Sequence, residues 1–165
     1  MPIRQIRQIG DEILTKKSKD VTIMDDRTKA LIKDMEDTMN EFEGCGIAAV
    51  QVGVLKNIII VKPEIDGETY LFINPTITEK SDTENIDFEG CLSVEGKRGQ
   101  VKRPDKITIS AKDINLKPFT LTAEGFFARA ICHEFDHLNG ILYVDKLESK
   151  LYNIDELEIT ENKIS

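Results

Sequence analysis

The sequence has no long hydrophobic run, and its longest uninterrupted aliphatic stretch is the four residues Ile58–Val61. A membrane-spanning helix needs about 20 apolar residues, and the opening segment MPIRQIRQIG lacks the apolar core of a signal peptide. We therefore expect a cytoplasmic protein that makes no membrane contact.

Basic residues are also in deficit. The chain has 22 Lys and Arg against 30 Asp and Glu, which gives a formal net charge of −8. An acidic surface repels phosphate backbones, so we expect no direct binding to nucleic acid. The 165 residues, 40% of them hydrophobic, suffice for one well-filled core, and we predict a single domain over residues 1–165.

Cysteine and histidine are scarce, with three and two copies respectively. The cysteines, Cys45, Cys91 and Cys132, are odd in number and far apart, which does not fit the paired framework of a small secreted domain. At least one thiol is therefore available for other chemistry.

The chain divides into helical and β-rich segments. Residues 25–44 have the pattern of a capped amphipathic helix, with acids at the start, a glycine at the end and an apolar face of Leu31, Met35, Met39 and Phe42. Short β-rich segments follow at residues 57–61, 70–73, 106–111 and 119–122. Because few connections are long enough for crossover helices, we predict mostly antiparallel pairing.

A second helix is predicted in AEGFFARAICHEFDHLNG, with Thr122 as its N-cap and Asn139-Gly140 as its end. Its apolar residues occupy more than one face, so it should be largely buried. Residues 152–165 are acidic and predict a short helix or a frayed tail. The fold class is therefore α+β, with antiparallel sheets packed around a central buried helix that carries HEFDH.

The HEFDH segment predicts a metal site. On a helix His133 and His137 project about 40° apart, and Glu134 lies about 60° from His137, so two imidazoles and a carboxylate can converge on one ion. The alternative is a pair of core histidines beside a solvated acid. By itself the H-E-x-x-H pattern suggests a metallopeptidase, but no histidine remains as a third ligand.

Two upstream segments supply further candidates. In FEGCLS, Cys91 offers a thiolate to a borderline metal, although a buried structural cysteine is the alternative. Cys132 should point away from the two histidines, whereas helix geometry does not exclude Cys45. In GCGIAAVQ, Gln51 could donate its amide to a developing oxyanion, although the segment could also be only a helix cap and a packed strand.

Taken together, GCGIAAVQ, EGCLS and HEFDH resemble, in that order, the three signature motifs of peptide deformylases, and the similarity extends over nearly the whole chain. The resemblance implies the peptide deformylase fold and metal-dependent hydrolysis of the N-formyl group from N-formylmethionyl nascent peptides, with release of formate. It implies one Fe2+ per chain, which Zn2+, Ni2+ or Co2+ can replace. We expect a monomer.

The resemblance also implies individual roles. The metal ligands would be Cys91, His133 and His137. Glu134 would act as general base and then as acid, and the Gln51 side chain with the Leu92 backbone N–H would hold the oxyanion. The backbone of Gly46 and Gly90 would pair with the peptide, and Ile47 and Ile131 would line an apolar pocket, with core packing as the alternative for both.

Outside the metal ligands, we hypothesise an ion-pair network among Glu89, Arg103 and Asp136, because ligating histidines commonly need a partner that fixes their tautomer. Surface charges are the alternative. Some peptide deformylases meet the ribosome through a basic C-terminal helix, and the acidic residues 152–165 argue against that mode here.

Three alternative functions stay open on the sequence. A closed structural zinc site could form if Cys45 were a fourth ligand, and the same helix could serve a metallopeptidase. A catalytically silent homologue is the third alternative, and the presence of Glu134 and Gln51 argues against it.

Overall fold

The computed structural model describes residues 3–157. Helix α1 spans Asp26–Glu41 and helix α2 spans Gly125–Leu138. The strands are β1 (Gly46–Ala48), β2 (Ile58–Val61), β3 (Tyr70–Lys80), β4 (Glu84–Cys91), β5 (Val94–Pro104), β6 (Lys106–Lys112), β7 (Pro118–Glu124) and β8 (Tyr152–Asn153). Three 3-10 helices connect them, at Glu12–Thr15, Ala49–Val52 and Tyr143–Lys146.

The strands form two antiparallel sheets. The larger sheet has the order β1-β2-β3-β6-β7, and the smaller has the order β4-β5-β8. Helix α2 contacts β1, β2 and β7 of the larger sheet and β5 of the smaller one. This arrangement confirms the predicted α+β fold, with antiparallel sheets around the helix that carries HEFDH.

Helix α1 forms where the sequence predicts it. The Asp25 side chain accepts a hydrogen bond from the Thr28 N–H and so caps the first turn. Leu31, Met35 and Met39 are buried, as predicted. Phe42 is the exception, since the helix ends one residue before it and its side chain remains 50% exposed.

Helix α2 begins later than the sequence suggests. Thr122 was expected as its N-cap, but it lies inside β7, which continues to Glu124. The Thr122 hydroxyl pairs across the sheet with that of Thr108 at 3.3 Å, so strand pairing extends through the expected cap. Asn139 is the C-cap, and Gly140 follows with a φ of +72°.

The hairpin of β4 and β5 was not predicted as a pair of strands. Four of the eight β4 residues are exposed, and two of these, Ile86 and Phe88, are apolar, so the strand does not show the buried apolar face by which a half-buried strand is recognised. Cys91 ends β4 and pairs with Val94, the first residue of β5. The turn between them therefore consists of Leu92 and Ser93.

Two hydrophobic clusters form the core, one between α2 and the larger sheet and the other between α1 and the same sheet. One contains Phe72, Ile109 and Ile131, and the other contains Met35 and Ile47. Within residues 3–157 no helix has the length and apolarity that crossing a membrane requires. Of the predicted acidic tail, residues 152–153 form β8, and residues 158–165 lie outside the described residues.

Candidate metal centre and active site

Three potential metal ligands converge where α2 passes the β4–β5 turn. The donor atoms of Cys91, His133 and His137 all lie within 4.8 Å of one another. Cys91 Sγ is 3.3 Å from His137 Nε2. Bonds of about 2.3 Å to sulfur and 2.1 Å to nitrogen place two ligands of a tetrahedral ion roughly 3.5 Å apart, so the geometry fits a divalent cation. The structure thus brings the three predicted ligands together.

The first histidine is oriented by a buried carboxylate. His133 Nδ1 lies 2.8 Å from Glu89 Oε1. An Nδ1–H that donates to a carboxylate fixes the tautomer and leaves Nε2 free to bind a metal. The second histidine, His137, is fully buried, and its Nε2 is the nitrogen beside Cys91 Sγ.

The two histidines differ in their affinity for protons. Burial lowers the pKa of His133, but hydrogen bonds with Cys91 and Glu89 outweigh burial and raise the pKa well above its usual value. Burial and the charges of His133 and Arg103 lower the pKa of His137 well below its usual value. His137 is therefore a neutral ligand already, whereas a cation must displace a proton from His133.

Glu134 lies beside the ligands on a buried face of α2. Its Oε1 has no hydrogen-bond partner among the described residues. Burial raises its pKa to about 7, because the opposing charges of His133 and Arg103 do not compensate for the loss of solvent. A carboxyl that titrates near neutral pH is suited to take up and return a proton. A Cβ on Gly46 would lie 2.5 Å from Glu134 Oε2, so the glycine makes room for this side chain.

Gln51 is held in one orientation. It lies in the buried 3-10 helix Ala49–Val52, and its Oε1 accepts a hydrogen bond from the Ala48 N–H at 2.9 Å. The amide nitrogen is thereby directed to the other side, where it donates to Ser93 Oγ at 3.1 Å and lies 3.5 Å from Cys91 Sγ. The amide donor of Gln51 therefore faces the metal centre, as the resemblance implies.

The β4–β5 turn brings backbone groups to the same place. Leu92 lines the cleft above the metal centre. The Ser93 N–H lies 3.4 Å from Cys91 Sγ and donates to it, so the sulfur receives a backbone hydrogen bond as well as the Gln51 contact. Ser93 is fully buried and was not singled out from the sequence.

A cleft of about 780 Å³ opens over these groups. Gly46 and Gly90 line it, together with Glu134 and His133. A Cβ on Gly90 would overlap the Arg98 guanidinium, so this position admits no side chain without displacing Arg98. Both glycines thus line the cleft.

The apolar wall of the cleft differs from the one expected. Ile47 and Ile131 are fully buried in the two hydrophobic clusters, and the structure does not bring them to the cleft. Ile47 packs between α1 and the larger sheet, and Ile131 packs between α2 and that sheet, so core packing, the alternative given above, describes both positions. The cleft is lined instead by Phe88, Phe126 and Ala130.

The hypothesised ion-pair network is present and buried. Arg103 Nε and Nη2 donate to the two Glu89 oxygens at 2.8 and 2.9 Å, and Nη1 donates to Asp136 Oδ2 at 2.7 Å. Burial raises the pKa of Glu89, but its hydrogen bonds with Arg103 and His133 outweigh burial and hold the pKa well below its usual range. Glu89 is therefore a carboxylate that orients His133.

Arg129 completes this network and was missed in the sequence. Its Nη1 donates to Glu89 Oε2 at 2.7 Å and to the Val101 carbonyl at 2.9 Å, and its Nη2 donates to Asn85 Oδ1 at 2.6 Å. An arginine in the middle of a helix already expected to be buried requires such partners. This need for buried partners was the signal in the sequence that could have identified Arg129 as part of the network.

The remaining cysteines lie apart from the ligand set. Cys132 is buried in the hydrophobic cluster around α2, as its helical angle predicts. Cys45 lines the cleft, but the convergent group found within residues 3–157 consists of Cys91 and the two histidines without it. Three protein ligands leave a coordination position open, which is typical of catalytic rather than closed structural sites.

Known proteins share this sequence and architecture. A model of the polypeptide deformylase family matches residues 3–152. Peptide deformylase 1 of Clostridium perfringens is 50% identical over 145 residues, which cover 88% of this chain and 98% of that protein. The peptide deformylase of Finegoldia magna is 43% identical over 159 residues, 96% of each chain.

Solved structures agree with the sequence comparison. The crystal structure of peptide deformylase from Thermotoga maritima superposes with a TM-score of 0.86 at 32% identity, covering 90% of this chain and 99% of that one. The enzyme from Synechococcus elongatus, solved in complex with actinonin, gives a TM-score of 0.86 at 37% identity and covers 98% of this chain and 84% of that one. On these matches, the chain belongs to the polypeptide deformylase family.

Proposed function

We propose that this protein hydrolyses the N-formyl group of N-formylmethionyl peptides and releases formate, with one Fe2+ held by Cys91, His133 and His137. The observation that carries the proposal is the convergence of these donors beside Glu134, whose pKa is about 7, at the base of an open cleft. One thiolate and two imidazoles form a ligand set that suits Fe2+ and also Zn2+, Ni2+ or Co2+.

A divalent cation held by Cys91, His133 and His137 would supply Lewis-acid polarisation of the formyl carbonyl and would lower the pKa of water. Glu134 takes the proton of the attacking water and returns it to the departing amine, since its carboxyl changes protonation state near neutral pH. The Gln51 amide and the Leu92 backbone N–H hold the oxyanion as the formyl carbon becomes tetrahedral.

The cleft provides the remaining contacts with the peptide. Gly46 and Gly90 admit a peptide backbone close to their own, so main-chain hydrogen bonds bind the substrate without reading its sequence. Phe88, Phe126 and Ala130 offer an apolar wall for the methionine side chain. A monomer that acts on nascent chains without binding RNA fits the net charge of −8.

The test measures formate release from a formyl-Met peptide under anaerobic conditions with Fe2+ or Ni2+ enzyme. Glu134→Ala should lower kcat by at least about 100-fold while the metal content stays equal to that of the wild type. Glu124→Ala, an exposed glutamate just before the same helix, is the matched control and should retain full activity.

Two results would count against the proposal. Metal retained in Glu134→Ala with undiminished formate release would overturn the proton-transfer role of Glu134. A wild-type protein that holds its metal but releases no formate would favour a structural site.

A further inference from the structure

Residues 7–9 form a short segment, here called the strap, that binds both motifs carrying the proposed oxyanion donors. The Arg7 N–H donates to the Gln51 carbonyl oxygen at 2.7 Å, and the Ile9 N–H donates to the Ser93 carbonyl oxygen at 2.7 Å. The strap lies outside both sheets and both helices. These bonds therefore tie it to the active-site motifs rather than to a sheet edge.

The side chain between these two bonds contacts the turn directly. Gln8 Nε2 donates to the Leu92 carbonyl oxygen at 2.9 Å. That carbonyl and the Ser93 N–H belong to one peptide group, and the same N–H donates to Cys91 Sγ at 3.4 Å. A hydrogen bond to a carbonyl polarises its peptide group and strengthens the N–H as a donor. Gln8 thus reaches the thiolate through a single peptide group.

We propose that Gln8 is a positioning residue for the hydrolytic site. Its amide fixes the peptide group between Leu92 and Ser93, and it thereby restrains the turn that also carries the Leu92 N–H and strengthens the hydrogen bond to Cys91 Sγ. The catalytic part of this inference rests on the proposed function, since the Leu92 N–H matters for rate only where an oxyanion develops.

The geometry separates this role from simple anchoring of the strap. Arg7 and Ile9 hold the strap through their backbone N–H groups, so loss of the Gln8 side chain leaves both of those bonds in place. What changes is the Leu92 carbonyl, which loses its side-chain donor. An interaction made mainly in the transition state affects kcat, with little change in KM.

The test compares Gln8→Met with Gln100→Met. Methionine keeps the length of the side chain without its amide donor. Gln100 lies in β5 away from the cleft, and within the described part of the chain only its backbone takes part in hydrogen bonds, so it is a matched control. Gln8→Met should lower kcat for a formyl-Met peptide about tenfold, the effect of losing one hydrogen bond, with KM changed less than about twofold. Gln100→Met should change neither.

A second measurement reports the position of the turn without substrate. In the diamagnetic Zn2+ form, Gln8→Met should shift the ¹⁵N–¹H resonances of Leu92 and Ser93 and speed their amide exchange, whereas amides of β2 and β3 stay protected. Gln100→Met should leave the Leu92 and Ser93 signals in place.

Unchanged kcat together with unchanged Leu92 and Ser93 signals in Gln8→Met would overturn the proposal. Loss of protection throughout the larger sheet would also overturn it, since it would show a role in global stability. If wild-type protein released no formate while the two amides still shifted, the positioning contact would be supported and the proposed function would fail.

Discussion

Glu89 and Glu134 are both almost fully buried, with 6% and 4% of their surface exposed, yet they hold protons in opposite ways. The Glu89 carboxyl is held well below its usual pKa, whereas the pKa of Glu134 is raised to about 7. Burial acts in the same direction on both. The difference lies in their partners.

Every Glu89 oxygen is occupied, because Arg103, Arg129 and His133 all contact it at 2.7 to 2.9 Å. Glu134 Oε1 has no such partner among the described residues. A carboxylate whose lone pairs are all occupied can orient a neighbour but does not accept a proton readily. One without partners changes protonation state readily. Glu89 on β4 therefore has the partners of a structural carboxylate, whereas Glu134 on α2 is suited to the proton transfer proposed above.

The largest expected effect on stability comes from removing the Arg103 partner of Glu89. Arg103→Met leaves Glu89 and Asp136 buried without their main cationic partner and should lower the free energy of unfolding by about 3–5 kcal/mol. Urea denaturation at pH 7 measures this change. Arg4→Met is the control, since the pair of Arg4 with Asp34 is partly exposed and should contribute at most about 1 kcal/mol. Equal losses in both variants would contradict the distinction.

In the metal-free protein, Glu134 and Glu89 should change the free energy of unfolding with pH in opposite directions. Between pH 4.5 and about 7 folded Glu134 keeps a proton that the unfolded chain releases, so wild-type stability falls as pH rises through this window. Glu134→Gln removes the effect. Its stability relative to wild type should increase with pH by on the order of 3 kcal/mol and level off above about pH 8.

Glu89→Gln provides the opposing measurement, in the window below pH 4.5. The lowered pKa of Glu89 contributes stability above pH 4.5 that is lost as the pH falls below that value. Glu89→Gln should therefore be less stable than wild type at neutral pH and approach it in acid. Parallel pH profiles for the two glutamine variants, measured by urea denaturation, would refute the division of roles.

The sequence predicted which donor groups converge better than it predicted what surrounds them. Helical spacing places His133 and His137 on one face, and the motif containing Cys91 supplies the third donor, so these contacts follow from local pattern and resemblance. The partners of Glu89 do not follow from local pattern in the same way. Arg129 joins it only because α2 lies against the β4–β5 hairpin, a contact between distant segments that no spacing encodes.

The residues that line the cleft were difficult to predict from the sequence for the same reason. Ile47 and Ile131 are apolar and adjacent to the motifs, but apolar character alone does not distinguish a residue facing the cleft from one facing the sheet. Phe42 shows the converse, since its helical spacing predicts burial, yet α1 ends at Glu41 and Phe42 lines the cleft. Side-chain direction at element ends depends on tertiary packing.

The smallest expected effect on stability and kcat comes from removing the buried Tyr143 hydroxyl, which is neutral near pH 7. Tyr143 stacks on the His133 ring with centroids 5.8 Å apart, its hydroxyl has no partner among the described residues, and burial raises its pKa to about 12. Removing an unsatisfied buried hydroxyl relieves a desolvation penalty, so Tyr143→Phe should leave stability unchanged or raise it by about 1 kcal/mol, with kcat within about twofold of wild type.

Urea denaturation and the formate assay measure both quantities, and Tyr152→Phe in the smaller sheet serves as the control. A loss of more than about 1 kcal/mol in Tyr143→Phe would mean that the hydroxyl contributes a stabilising hydrogen bond. A gain would show that this side of α2 tolerates an unpartnered neutral dipole at small cost. The ionised Glu134 carboxylate would then destabilise the fold more than the neutral Tyr143 hydroxyl does. A glutamine at position 134 would be more stable above pH 7 but could not carry the proton, so the proposed proton transfer explains why the costly glutamate is present.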